Sequence, residues 1–194
     1  MNQKQKLWKA ILIPTVSLFL ICVVSTVLLA VTNSVTAPMI EDLAAKTAAE
    51  TRQTVLSAAK RFSDPKTVTM AKAQYTYYEG FDGDTPVGYV FTTQSKGYDG
   101  AVEIMTGIDL NGRVTGIQTL TLNETAGLGM NAKNDAFRDQ FKGKSGRISV
   151  AKNSPGEDEI QALTGATITS KAVTDAVNLA LELYTQVAGG AANG

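Results

Sequence analysis

The sequence predicts an α+β fold: a single N-terminal transmembrane helix, then a domain with a mostly antiparallel sheet flanked by helices. Three observations carry that prediction. Ile11 to Val31 is an uncharged apolar run, and about 21 such residues span about 31 Å as a helix, the thickness of a bilayer core. The middle of the chain alternates polar and apolar residues in short stretches broken by glycine-bearing turns, as strands of a half-buried sheet do. Val173, Ala176, Val177, Ala180, Leu181, Tyr184 and Val187 recur at helical spacing. The 194 residues are enough for one membrane segment plus one domain with its own core.

Composition removes several chemistries. Histidine is absent and the one cysteine, Cys22, lies inside the apolar run. The chain alone therefore offers no Ser-His-Asp triad, no Cys-His pair, no histidine zinc site, no four-cysteine cluster and no internal disulfide. No metal site is expected. Basic and acidic residues balance at 18 each, and no Lys/Arg-rich run occurs, so no nucleic-acid partner is expected. Redox work would need an organic cofactor, or metal supplied by other subunits.

Residues 1–10 are expected to be a cytoplasmic tail and 11–32 the transmembrane helix. Lys4, Lys6 and Lys9 precede the run, and Glu41 and Asp42 are the first charges after it. That asymmetry puts the N-terminus in the cytoplasm and the domain outside it, in a single-pass arrangement in the cell membrane. Trp8 suits the interface. A cleaved signal peptide is the alternative, but the run is long for one. Leu20 and Ile21 before Cys22 do not make a lipoprotein cleavage context.

Pro38 marks the exit from the membrane, and 33–70 is expected to be a connecting helical segment. Within it, 40–61 is rich in Ala, Glu, Lys, Arg and Gln and lacks Gly and Pro, which predicts a helix. The domain is expected over 71–188. Strands are predicted over 72–79, where Tyr75 and Tyr77 alternate as packing residues, and over 87–94. Gly97-Tyr98-Asp99-Gly100 forms a turn, with Tyr98 assigned to the core. Val102, Ile104, Thr106 and Ile108 alternate up to Asn111-Gly112, a hairpin signal, and 113–122 is the returning strand. A glycine-bearing loop occupies 124–129. A short helix near 134–141 sets Phe137 and Phe141 on one face. A brief strand follows at 147–150, then a polar loop at 153–159. The last helix is expected to stop at Gly189-Gly190, leaving 189–194 as a loose tail.

The last helix opens after Leu163-Thr164-Gly165-Ala166-Thr167-Ile168-Thr169-Ser170, a segment dense in hydroxyls. A helix N-terminus has unpaired N–H groups and partial positive charge, and both favour a phosphate. Gly165 and Ala166 would let it approach the backbone. A plain Ser/Thr cap is the ordinary reading of such a segment, and Thr164, Thr167, Thr169 and Ser170 all carry a hydroxyl.

Asp158 to Ser170, DEIQALTGATITS, resembles the flavinylation motif of the FMN-binding domain found in RnfG and NqrC. In that family the last threonine of a Ser/Thr-Gly-Ala-Thr tetrad carries FMN through a phosphoester. The resemblance implies a covalent phosphothreonyl FMN on Thr167, with Thr164, Gly165 and Ala166 around it. GYDG at 97–100 resembles the family's glycine turn, which implies Gly97 and Gly100 beside the flavin. ETAGLG at 124–129 resembles its Glu-Thr-Pro-Gly-Leu-Gly loop, which implies cofactor contacts from Glu124, Thr125, Gly127, Leu128 and Gly129. FRDQFKGK at 137–144 resembles the segment after that loop; Lys142 and Lys144 there are read as surface lysines. Ala126 replaces the family's frequent proline, and Leu122 stands where many members have histidine.

A threonine hydroxyl is a weak nucleophile and the chain has no base to activate it. A separate enzyme is therefore needed to attach the flavin; the resemblance implies that it is a flavin transferase using FAD and magnesium, and that the chain's other partners are subunits of an integral membrane redox complex. The implied function is an electron-transfer subunit of an Rnf-type ferredoxin:NAD oxidoreductase that moves ions, with no catalysis by the chain alone. The C subunit of a sodium-translocating NADH:quinone oxidoreductase is one alternative. A cofactor-free, membrane-anchored binding or assembly module is the other.

Overall fold

The computed structural model describes residues 3–191, and the chain divides into two compact units, Met1–Thr47 and Ala48–Gly194. The first unit is helix throughout its described residues. It belongs to α1, Gln3–Val55, which runs through both Pro14 and Pro38. Among the described residues this is the one helix long and apolar enough to cross a bilayer. The helix expected over 40–61 is thus not a separate element, and it ends at Val55. Each proline removes one N–H from the ladder, but good helix formers such as Met39, Leu43, Ala44, Ala45 and Lys46 follow Pro38. Thr36 also donates its hydroxyl back to Thr32 O at 2.9 Å. Past Val55 the backbone turns: the Ala59 N–H bonds Leu56 O at 3.1 Å, and the Lys60 N–H bonds Phe81 O at 2.8 Å, which draws the chain into the sheet.

Six antiparallel strands form that sheet: β1 Arg61–Phe62, β2 Lys66–Met70, β3 Ala73–Asp82, β4 Thr85–Lys96, β5 Ala101–Asp109 and β6 Val114–Leu122. The order is β1-β3-β4-β5-β6, with β2 also on β3. Residues 61–70, assigned to the connecting segment by sequence, are therefore sheet. Their hairpin was hidden by its turn. Ala71 and Lys72 both take positive φ, 49° and 70°, a conformation normally signalled by Asn-Gly or Gly-Gly. Two further strands, β7 Ser149–Ala151 and β8 Glu159–Gln161, pair in parallel. β8 falls partly in the expected 153–159 loop, and three residues are too few to show a period.

α3, Thr167–Ala191, covers one face of the sheet. Its Val173, Ala176, Val177 and Ala180 pack into one core with Phe91, Val102, Ile104 and Ile108. Thr93 ties strand to helix by donating to Ala176 O at 2.8 Å. Gly189 and Gly190 do not end the helix as expected; it continues to Ala191. Glycine costs a helix only about 1 kcal/mol. The tail expected to be loose lies, from 192 onward, outside the described residues. A short α2, Asp135–Arg138, and a following 3-10 turn set Phe137 edge-on to Phe141, centroids 5.7 Å apart.

The last turn of α1 packs on the opposite face. Val55, Leu56 and Ala59 meet Val90 and Met105 in a second, smaller core. Gly107 and Gly116 face each other across β5 and β6, and a Cβ on Gly107 would lie 2.2 Å from Val55 O. Without side chains at these two positions the helix end rests on bare strand backbone, where the Thr115 hydroxyl donates to Val55 O.

Candidate functional site

Three segments far apart in sequence meet at the N-terminal end of α3. The 97–100 turn contributes Tyr98. The 124–129 loop contributes Glu124, Thr125, Leu128 and Gly129, and the opening of α3 contributes Gly165, Ala166, Thr167, Ile168 and Thr169. Together they line one cleft of about 490 Å³. Two other cavities, about 540 and 330 Å³, contain none of the residues that the sequence assigns to the cofactor. The convergence of the motifs, rather than size, marks this cleft.

Local chemistry builds each wall. The turn closes through the Gly97 N–H on Gly100 O at 2.7 Å. The loop coils on itself: Leu128 and Met130 N–H groups both reach Thr125 O at 3.2 Å, and Asn131 Nδ2 donates to Gly127 O at 2.9 Å. Gly127 has a φ of +77° with open space around it, so it serves the turn. Gly129 and Gly97 are glycine for another reason. A Cβ on either would collide with the Glu124 side chain, 2.3 Å from Oε1 at Gly97 and 2.9 Å from Oε2 at Gly129. Gly165 combines both: its φ is +75° and a Cβ would sit 3.0 Å from Leu128 Cδ2.

The opening of α3 sorts the four hydroxyls. Ala166 accepts the first intrahelical bond, from the Ser170 N–H at 3.0 Å, and so occupies the cap position without a side-chain oxygen to offer. The Ser170 hydroxyl is engaged internally, accepting from the Leu163 N–H at 2.9 Å and donating to Ala166 O at 3.0 Å. Thr169 is 1% exposed, and Thr164 is exposed but does not line the cleft. Thr167 is half-buried on the cleft wall, and its hydroxyl has no hydrogen-bond partner among the described residues. The N–H groups of Thr167, Ile168 and Thr169 likewise find no acceptor among the described residues. A plain side-chain cap is therefore not formed, and three donors with the helix's partial positive charge face outward.

Apolar surface surrounds these donors. Tyr98 is 70% exposed, Ile168 54% and Leu128 43%; in the unit from Ala48 on, the only other large exposed hydrophobic described is Leu110. Tyr98 was assigned to the core by sequence, and the structure corrects that: a four-residue turn between glycines sits proud of the sheet. Ile168 was missed. The signal was present, since it falls out of phase with the buried face of α3. Gly97, Gly100 and Gly127 support the walls without lining the cleft. Lys142 pairs with Asp139 at 2.7 Å, Lys144 donates to Glu157 O, and neither lines the cleft.

Concave shape, apolar rim and outward-facing N–H groups are what a planar, phosphate-bearing cofactor requires. Sequence comparison points to the same residues. The FMN-binding domain family matches residues 97–182, which span all three walls. The G subunit of the Na+-translocating ferredoxin:NAD+ oxidoreductase complex of Acetobacterium woodii is 38% identical, over 95% of this chain and 98% of that protein. The chain belongs to this family of G subunits. A second member, from the proton-translocating ferredoxin:NAD+ oxidoreductase complex of Clostridium ljungdahlii, is 34% identical over 96% of this chain and 98% of its own length. Among solved structures, the C subunit of the Na+-translocating NADH-quinone reductase of Parabacteroides distasonis has 25% identity and a TM-score of 0.51. The match covers 59% of this chain and 63% of that one. NqrC of Shewanella oneidensis, at 19% identity and a TM-score of 0.52 over 64% of this chain and 66% of that one, shares the fold. For this G-subunit family member, the quinone-reductase C subunits are thus structural relatives, matched over about three-fifths of the chain.

Proposed function

We propose that this chain is the flavin-carrying electron-transfer subunit of a membrane-bound, ion-translocating ferredoxin:NAD+ oxidoreductase, with FMN joined to Thr167 by a phosphoester. One observation carries the site assignment: of the four hydroxyls at the opening of α3, only that of Thr167 combines a place on the cleft wall, partial exposure and the lack of any competing hydrogen bond among the described residues. The N–H groups of Thr167, Ile168 and Thr169 would receive phosphate oxygens, and Leu128, Ile168 and Tyr98 would pack against the ring system. When bound, the flavin takes up and releases electrons; the protein's part is to hold it, shield it and set its potential.

Other assignments belong to the same reading. α1 anchors the subunit, and the lysines before the apolar run support a cytoplasmic N-terminus with residues 71–188 as the extracytoplasmic flavin domain. Without histidine or a paired base, the threonine needs a separate flavin transferase. The neighbours are other subunits of the complex. Electron carriage is assigned to this chain and ion selection is not, because relatives matched along their whole length are named for different ions.

The test is a denaturing gel of natively expressed protein viewed under blue light. Covalent flavin stays with the band, and Thr167→Ala loses it while Thr169→Ala keeps it. A dark wild-type band, with the transferase present, would favour the cofactor-free module instead. Full fluorescence from Thr167→Ala would move the attachment elsewhere.

A further inference from the structure

Glu124 joins two walls of the cleft that are distant in sequence. Its Oε1 accepts the Tyr98 N–H at 2.8 Å, across 26 residues. Gly97 and Gly129, on either side, are not in the left-handed region. Their value is the space they vacate: a Cβ on Gly97 would come 2.3 Å from Oε1, and one on Gly129 2.7 Å from Thr169 Oγ1, 2.8 Å from Glu124 Cβ and 2.9 Å from Oε2. The carboxylate thus occupies a slot shaped for it, half-buried, on the wall of the cleft. Among the described residues no Lys or Arg forms an ion pair with it.

We propose that Glu124 is a positioning residue that clamps the 97–100 turn to the 124–129 loop and holds an unneutralised negative charge beside the cofactor. The redox half of this proposal rests on the flavin reading above; the clamp half does not. Adding electrons makes the cofactor more negative, so a fixed negative charge nearby favours the oxidised form. A unit charge about 10 Å away, at an effective dielectric of about 20, changes the reduced-to-oxidised ratio on the order of tenfold. Glutamine keeps an oxygen acceptor in the same place without the charge, which separates the two roles.

The experiment uses the full chain in detergent, as Glu124→Gln and Glu124→Ala, each with Thr167 intact and in a Thr167→Ala background. Amide exchange at Tyr98 reads the clamp without cofactor. Glu124→Ala speeds that exchange by about tenfold or more, the worth of one charge-assisted hydrogen bond, and Glu124→Gln leaves it near wild type. Reductive titration of the flavin-bearing proteins against a reference dye reads the charge. At a fixed ambient potential, Glu124→Gln raises the reduced-to-oxidised ratio by about tenfold. Unchanged Tyr98 exchange in Glu124→Ala overturns the clamp. An unchanged ratio in Glu124→Gln overturns the charge role. If wild-type protein carries no covalent flavin, the redox half falls with the functional reading, and the exchange data still decide the clamp. Should Glu124→Ala fail to fold, Glu124→Asp, whose shorter side chain withdraws the carboxylate from the Tyr98 N–H, replaces it in the exchange measurement with the same expected rise.

Discussion

The opening of α3 and its later turns both carry polar groups, and the two stretches differ in what those groups bond. Toward its C-terminal half the polar side chains that reach the body of the domain are used. Asn178 donates to Ile148 O at 2.8 Å and accepts from Ile148 N at 2.9 Å. The Tyr184 hydroxyl donates to Leu110 O at 2.7 Å, and its ring meets Tyr89 edge-on at 5.6 Å. At the N-terminal end, three backbone donors and the Thr167 hydroxyl have no partners among the described residues, beside exposed Ile168. The unpaired donors at the opening are the ones that the proposed phosphate would take up. The difference also predicts how substitutions divide: changes at the far half should cost stability, and changes at the opening should cost cofactor.

Asn178→Leu should have the largest effect on stability. It strands both the N–H and the C=O of Ile148, about 1–3 kcal/mol for each buried group. Urea unfolding should show a loss of about 2–6 kcal/mol, with covalent flavin still present in whatever protein folds. Gly165→Ala comes next, at about 1–2 kcal/mol from the left-handed φ, plus displacement of Leu128. This variant bridges the two classes, because the shifted Leu128 should also lower flavin loading as measured by intact mass. A smaller effect is expected at alkaline pH. Burial raises the Tyr184 hydroxyl above its ordinary value of 10.0, with nearby Asp109 adding to this and a Gly112 backbone hydrogen bond opposing it. A raised folded-state value gives stability that is complete below the unfolded value and is lost as pH climbs through the folded one. Melting temperature should therefore fall above pH 10, and Tyr184→Phe should flatten that fall. Thr167→Ala should change stability least, within about 0.5 kcal/mol, while removing all covalent flavin. If it instead destabilised the fold as strongly as Asn178→Leu, the contrast between the two ends would be lost.

The legible parts of the fold were those with a period or a strong turn. The β5–β6 hairpin showed both, through alternating Val102, Ile104, Thr106 and Ile108 and then Asn111-Gly112. The core face of α3 followed from 3.6-residue spacing. The β2–β3 hairpin was illegible because Ala71 and Lys72 adopt a conformation that their side chains do not advertise. The continuity of α1 was masked by reading Pro38 as a boundary. At the site, the TGAT segment located the helix opening and the resemblance chose Thr167 among its hydroxyls; their burial, which no local pattern encodes, came only from the structure. The Glu124 slot is the clearest loss. Gly97 looked like a turn glycine because the Glu124 side chain it makes room for lies elsewhere in the chain, and Gly129 looked like one although it makes room for Glu124 in its own loop.

The glycine pair beneath Val55 has a mechanical meaning. Elsewhere in the core a helix rests on side chains, which can rotate and yield. At Gly107 and Gly116 the carbonyl end of α1 stands close against two hydrogen-bonded strands, with the short Thr115 hydroxyl the side-chain group bonded to it. Such a joint has almost no give. A push or twist arriving through the segment from Ala48 to Val55 would be taken up by β5 and β6 as a rigid displacement instead of being absorbed as rotamer changes.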